Sequence, residues 1–110
     1  LKYIVDIDGT ICDKPDGVYN DGDYIKSVPM IDRIEKINKL YDEGHTIVYI
    51  TARGMGRFDD NSDLAESTFY ALTADQLEKW GCKYHKLILG KPSGDFYIDD
   101  KGINSNDFFN

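Results

Sequence analysis

A chain of 110 residues has room for one hydrophobic core, and a formal net charge of −7 opposes the clustered Lys and Arg that non-specific nucleic-acid binding requires. No apolar run comes near the ~20 residues that span a bilayer, and no secretory leader pattern opens the chain. The two cysteines, Cys12 and Cys82, have neither metal-ligand spacing nor a disulfide framework, so they read as free thiols in a reducing cytoplasm.

The first element is the β-branched run Tyr3-Ile4-Val5, which stops at Asp6-Ile7-Asp8-Gly9-Thr10. A short continuous apolar run reads as a strand of a parallel sheet, buried on both faces. Ligands bind at the carboxyl ends of such strands, where this one carries its acids. Residues two apart in extended chain project to the same side, so Asp6 and Asp8 converge, and two close carboxylates call for a proton or a cation between them. Such a site suits Mg²⁺ together with a substrate phosphate. The plainer reading is a solvated Asp-Gly turn, and the rest of the chain decides between the two.

Residues 11–27 hold Asp16-Gly17 and Asn20-Asp21-Gly22 among few apolar positions, which predicts a hairpin or loop projecting from the sheet edge. The acids here lack the spacing of a calcium-binding EF-hand loop. A helix follows, with Pro29 in its first turn, Met30, Ile31, Ile34, Ile37, Leu40 and Tyr41 at helical spacing, and Gly44 as its stop. Thr46 to Ile50 is the second strand, ending at Thr51-Ala52-Arg53. A short strand–helix–strand connection implies a right-handed parallel crossover, which brings Thr51 to the same edge as Asp6 and Asp8. A Thr hydroxyl there suits a phosphate oxygen and an Arg fork suits a substrate anion; the alternatives are ordinary β propensity and a surface cation.

Residues 54–61 read as a loop over that edge. Residues 62–72 fit either a helix or an irregular packed segment, and Thr73-x-x-Gln76 reads as a capping box that opens a short helix ending at Gly81. His45 and His85 read as solvated or structural. Lys86 to Leu89 is the third strand, leading to Gly90-Lys91-Pro92, and Phe96-Tyr97-Ile98 is a fourth, ending at Asp99-Asp100. Adjacent acids after a buried strand are costly unless a cation joins them. Ile103, Phe108 and Phe109 close the chain in a helical turn.

The ordered set Asp6-x-Asp8-Gly9-Thr10, Thr51, Lys91 and Asp99-Asp100 resembles the four motifs of the haloacid dehalogenase (HAD) superfamily of phosphohydrolases. The wording around Thr51-Ala52-Arg53, Gly90-Lys91-Pro92 and Tyr97-Ile98-Asp99-Asp100 is similar to capless members associated with capsule and polysaccharide biosynthesis. The resemblance implies one Rossmann-like α/β domain over 1–110, a three-layer sandwich on a small parallel sheet with no cap. It makes Asp6 the nucleophile and Asp8 the acid and base. Gly9, Thr10, Thr51, Ala52, Arg53 and Lys91 would contact the phosphate. Asp6, Asp8, Asp99 and Asp100 would hold Mg²⁺, with Asp100 direct and Asp99 through water by analogy alone. The implied substrate is a small phosphorylated metabolite, a sugar or polyol phosphate, with no nucleic-acid or membrane partner and with self-association as one way to complete an uncapped site. The rival readings are a polynucleotide end phosphatase of the same fold and a receiver-like phosphoacceptor domain. The receiver's order of motifs differs from this one.

Overall fold

The computed structural model describes residues 1–14 and 23–110. The turns expected at residues 16–22 lie outside the described residues. Strand β1 (Lys2–Asp6) leads through a tight turn to β2 (Cys12–Asp13), which pairs antiparallel with β3 (Val28–Pro29) after a 3-10 turn at Asp23–Lys26. Helix α1 (Ile31–Asp42), strand β4 (Thr46–Thr51), helix α2 (Ser62–Lys79), strand β5 (Lys86–Leu89) and a last turn α3 (Ser105–Phe108) complete the order. No described helix is long and apolar enough to cross a membrane.

Strands β1, β4 and β5 form a three-stranded parallel sheet with β4 in the middle. The central strand carries the continuous apolar run: Ile47, Val48 and Tyr49 are all buried. The edge strand β1 pairs only with β4 among the described strands and leaves Ile4 exposed. This contrast is what two-sided and one-sided burial demand of a strand. The register sets Asp6 opposite Ile50 and Thr51 opposite Leu89, so the three strands end level and their exits share one edge.

Helix α1 packs on β4 and α2 on β5. Ile34 and Ile37 from α1 join Ile7, Ile11, Ile47, Tyr49, Phe69 and Leu77 in one core. Each such fully buried side chain contributes about 1.5–3 kcal/mol of transfer free energy. Both long helices end in the same way: Gly44 and His45 donate back to Tyr41 and Leu40, and Gly81 and Cys82 to Glu78 and Leu77. These paired bonds satisfy carbonyls that the helix itself leaves open. His85 has a structural role, stacking on Tyr41 while its Nδ1 accepts the Ile47 N–H at 3.1 Å.

Four sequence expectations are corrected. Pro29 belongs to β3, opposite Cys12, and α1 begins two residues later; a residue without an N–H is tolerated in so short a pairing. Thr73-x-x-Gln76 opens nothing, because residues 62–79 are one helix capped by Asn61, whose side chain accepts the Leu64 N–H. Residues 96–98 form no strand: Phe96 and Ile98 are 86% and 99% exposed. This run takes local anchors in place of a ladder. The Tyr97 hydroxyl donates to the Pro92 carbonyl at 2.6 Å, and the Lys91 ammonium sits 4.3 Å from the Tyr97 ring centre. Ile103 also stays exposed, while Phe108 and Phe109 pack as expected.

Candidate functional site

The level strand ends enclose a pocket of about 190 Å³, lined by Asp6, Asp8, Tyr24, Thr51, Ala52, Arg53, Lys91 and Tyr97. Asp6 is the last residue of β1, and the turn that follows is closed by Ile7, whose carbonyl accepts from the N–H groups of Thr10 and Ile11. Gly9 takes φ +80 within that turn. The Thr10 hydroxyl donates to Asp6 Oδ2 at 3.3 Å, so Thr10 braces a carboxylate while standing outside the pocket lining, as does Gly9. The Lys91 ammonium lies 3.4 Å from Asp6 Oδ1. Its backbone N–H donates to the Thr51 carbonyl at 3.2 Å, which fixes the exit of β5 beside that of β4. Burial is the largest influence on the Asp6 carboxyl and holds its pKa above the ordinary value, with Lys91 pulling the other way and the Asp8 charge adding to the rise.

Asp8 is held differently. Arg53 Nε donates to Asp8 Oδ2 and Nη2 to Oδ1, both at 2.9 Å, the two-pronged geometry that guanidinium and carboxylate favour. The Arg53 side chain is 0% exposed. Its remaining nitrogen, Nη1, donates to Thr73 Oγ1 at 3.2 Å and to Gln76 Oε1, both on α2. The Tyr24 ring lies 4.8 Å from the guanidinium carbon, and Gln76 Nε2 donates to the Tyr24 carbonyl at 2.6 Å. A buried charge is tolerable only with such pairing. The four observed Arg53 side-chain bonds, from Nε, Nη1 and Nη2, all go to the protein, with the fork expected for substrate anions engaged by Asp8, while Arg53 still lines the pocket.

Beside them the Cys12 thiol is buried, 3.5 Å from Asp8 Oδ1, and burial together with the Asp8 charge pushes it up to about 12. Thr51 is also buried, and its hydroxyl accepts the Arg53 N–H at 3.1 Å. Asp99 and Asp100 are exposed and do not line this pocket. Asp99 accepts the Lys101 N–H at 3.0 Å, the bond that chiefly draws its carboxyl below the ordinary value.

Among the described residues no group of three His, Cys, Asp or Glu side chains converges to hold a metal. Asp8 accepts from Arg53 through both oxygens, Asp6 faces Lys91, and Asp99 lines an adjoining cavity that Asp6 and Lys91 also line. Mg²⁺ is commonly held by one or two carboxylates together with waters and a substrate phosphate, and Asp6 and Asp8 are the acids lining this pocket that could supply them. Of the expected assembly of Asp6, Asp8, Asp99 and Asp100, this pocket brings together Asp6 and Asp8, and the strand expected to deliver the other two does not form.

Sequence reasoning missed Tyr24, Thr73, Gln76 and Tyr97. The available signal was in α2: Ala65, Phe69, Thr73, Gln76 and Leu77, the buried set of that helix, follow a helical stripe. Two polar residues on such a stripe ask for a buried partner, and Arg53 is that partner.

The fold and pocket define a small α/β protein with three parallel strands and an Asp–Asp–Lys–Arg cluster at their carboxyl ends. The chain is similar to a Vibrio cholerae protein whose crystal structure is described as that of an MCSG target: 31% identity over 98% of this chain and 86% of that one, with a TM-score of 0.84. At that identity and coverage the two belong to one family. No family model matches the chain, and no curated protein matches it.

Proposed function

We propose that the chain is a phosphomonoester hydrolase of the HAD-like kind, working through an aspartyl-phosphate on Asp6. The observation that carries this reading is the convergence of Asp6 and Lys91 at 3.4 Å inside a pocket at the carboxyl ends of a parallel sheet, with Asp8 lining the same pocket. In the first half-reaction an Asp6 oxygen bonds to phosphorus, the bond from phosphorus to the alcohol oxygen breaks, and Asp8 protonates the departing oxygen. In the second, water attacks the phosphorus, Asp8 takes its proton, and the Asp6–phosphorus bond breaks to release inorganic phosphate. Covalent catalysis splits one hard displacement into two easier ones. Lys91 neutralises charge on the transferring group, a preorganised electrostatic role.

The pocket is smaller than the ~300–1,000 Å³ of typical drug-sized ligand sites. It seats a phosphoryl group, and the rest of the substrate lies over the open edge beside Tyr24 and Tyr97. A small substrate such as a sugar or polyol phosphate is compatible with this shape, and a cytoplasmic polysaccharide route is proposed on the motif resemblance alone. The net charge of −7 continues to weigh against a nucleic-acid end.

The test is phosphate release from a panel of sugar, polyol, nucleotide and aryl phosphates, each with and without Mg²⁺, on wild type and Asp6→Asn. Turnover with one clear favourite, abolished by Asp6→Asn in a folded protein, is the expected result. Wild-type rates retained by Asp6→Asn would overturn the mechanism.

A further inference from the structure

Arg53 is the most thoroughly enclosed charge at the site, and all of its observed bonds go to the protein. Three features set it apart from a structural ion pair. First, its fork takes both oxygens of Asp8, at 2.9 Å each, which fixes the plane of that carboxylate as well as its position. Second, the guanidinium is itself fixed from behind by α2, through Thr73 Oγ1 and Gln76 Oε1. Third, Gln76 Nε2 and the Tyr24 ring tie the same assembly to the pocket wall that Tyr24 lines. Thr73 has no freedom to turn away, since its hydroxyl also donates to the Phe69 carbonyl at 2.8 Å. A surface ion pair needs none of this, and a buried pair kept for stability gains little over apolar packing.

We infer that Arg53, anchored by Thr73 and Gln76, is a positioning residue that aims the Asp8 carboxyl at the leaving-group oxygen, so that α2 sets how well the enzyme expels poor leaving groups. This rests on the hydrolase reading above. An aimed proton donor matters when the departing oxygen is that of an alkyl alcohol, which leaves badly as an anion. It matters little for a nitrophenolate, which needs no proton. A displacement of about 1 Å in a reacting group can cost 10²-fold in rate. Looser aim at Asp8 therefore slows the first half-reaction for alkyl phosphates and spares it for aryl ones, while the second half-reaction, where Asp8 is the base, is common to both.

The experiment compares kcat/KM, which reports the step that expels the leaving group, on the sugar or polyol phosphate turned over fastest in the panel with kcat/KM on p-nitrophenyl phosphate, for wild type, Arg53→Lys and Gln76→Met. Arg53→Lys keeps the charge and loses the fork; Gln76→Met keeps the fork and loosens its anchor. Both substrates are assayed on one preparation, so any unfolded fraction cancels from the ratio. The expected result is an alkyl-to-aryl ratio about 10-fold or more below wild type in Arg53→Lys, with a smaller fall in Gln76→Met. Equal losses on both substrates, or a ratio that rises, would overturn the positioning role and leave the hydrolase reading standing. A wild type that releases phosphate from neither substrate would overturn both.

Discussion

Replacing Gly54 by alanine tests the packing that seats Arg53. Gly54 follows Arg53 directly, and its N–H donates to the Tyr24 hydroxyl at 3.3 Å. A Cβ built there would lie 2.7 and 2.9 Å from Phe69 Cδ2 and Cε2 and 3.2 Å from Ala65 Cα, both residues of α2. Phe69 cannot swing clear, because it is 4% exposed and packs edge-on against Tyr24 with ring centres 5.2 Å apart. The backbone also stands at φ +81, where a Cβ costs about 1–2 kcal/mol. Overpacking adds about 1–3 kcal/mol, and the stiffer unfolded chain returns about 0.4–1 kcal/mol. The net loss is then about 1–5 kcal/mol, centred near ~3 kcal/mol.

Gly44→Ala supplies the control. Gly44 has φ +96 but nothing within 4 Å of an added Cβ, so it shows the backbone cost alone, about 1 kcal/mol after the same offset. Urea denaturation of both variants at unchanged slope gives the comparison directly. In a thermal melt Gly54→Ala falls by about 10 °C or more, at about 4–8 °C per kcal/mol for a domain near this size. A Gly54→Ala loss no larger than that of Gly44→Ala would refute the close approach of α2 to the exit of β4.

Asp6 carries a stability prediction of its own. Its folded pKa is raised, chiefly by burial, so the folded chain holds this proton more tightly than the unfolded chain does. The ionised group therefore destabilises the fold at pH values above its folded pKa, and that cost fades as pH falls toward the unfolded value of about 4. Asp6→Asn is expected to unfold at higher urea than wild type at pH 7, with the gap narrowing on acidification; an equal or lower midpoint at pH 7 would show that Lys91 more than offsets burial. The thiols give a third prediction. Burial pushes Cys12 up to about 12 and Cys82 up to about 11, so in the native protein at pH 8 neither reacts with a thiol-specific disulfide reagent on the timescale of seconds, and both react in urea. Rapid native labelling of either would place that thiol in a more open setting.

Much of the functional edge was legible in the chain. Strand endings at Asp6, Thr51 and Leu89 follow from apolar runs that stop at polar residues, and parallel crossovers oblige such endings to meet. Hence Asp6, Asp8, Thr51, Ala52, Arg53 and Lys91 line one pocket, as their positions in sequence imply. What local pattern left undecided were competitions among partners. Arg53 reads as a free cation in sequence, and only the arrival of α2, with Thr73 and Gln76 on its buried face, turns it inward to Asp8. That same pair looked like a helix start because polar residues at capping-box spacing resemble a terminus until a buried charge is found to claim them. Residues 96–98 have the composition of a strand, yet three apolar residues bury too little to outweigh the local hold of Pro92 and Lys91 on Tyr97. The sequence by itself determined the three strands of the sheet and the edge where Asp6, Asp8, Thr51, Arg53 and Lys91 meet, since hydrophobic burial is set by pattern. Only the tertiary structure decided which charges face one another, because an ion pair depends on side chains brought together from 45 residues apart.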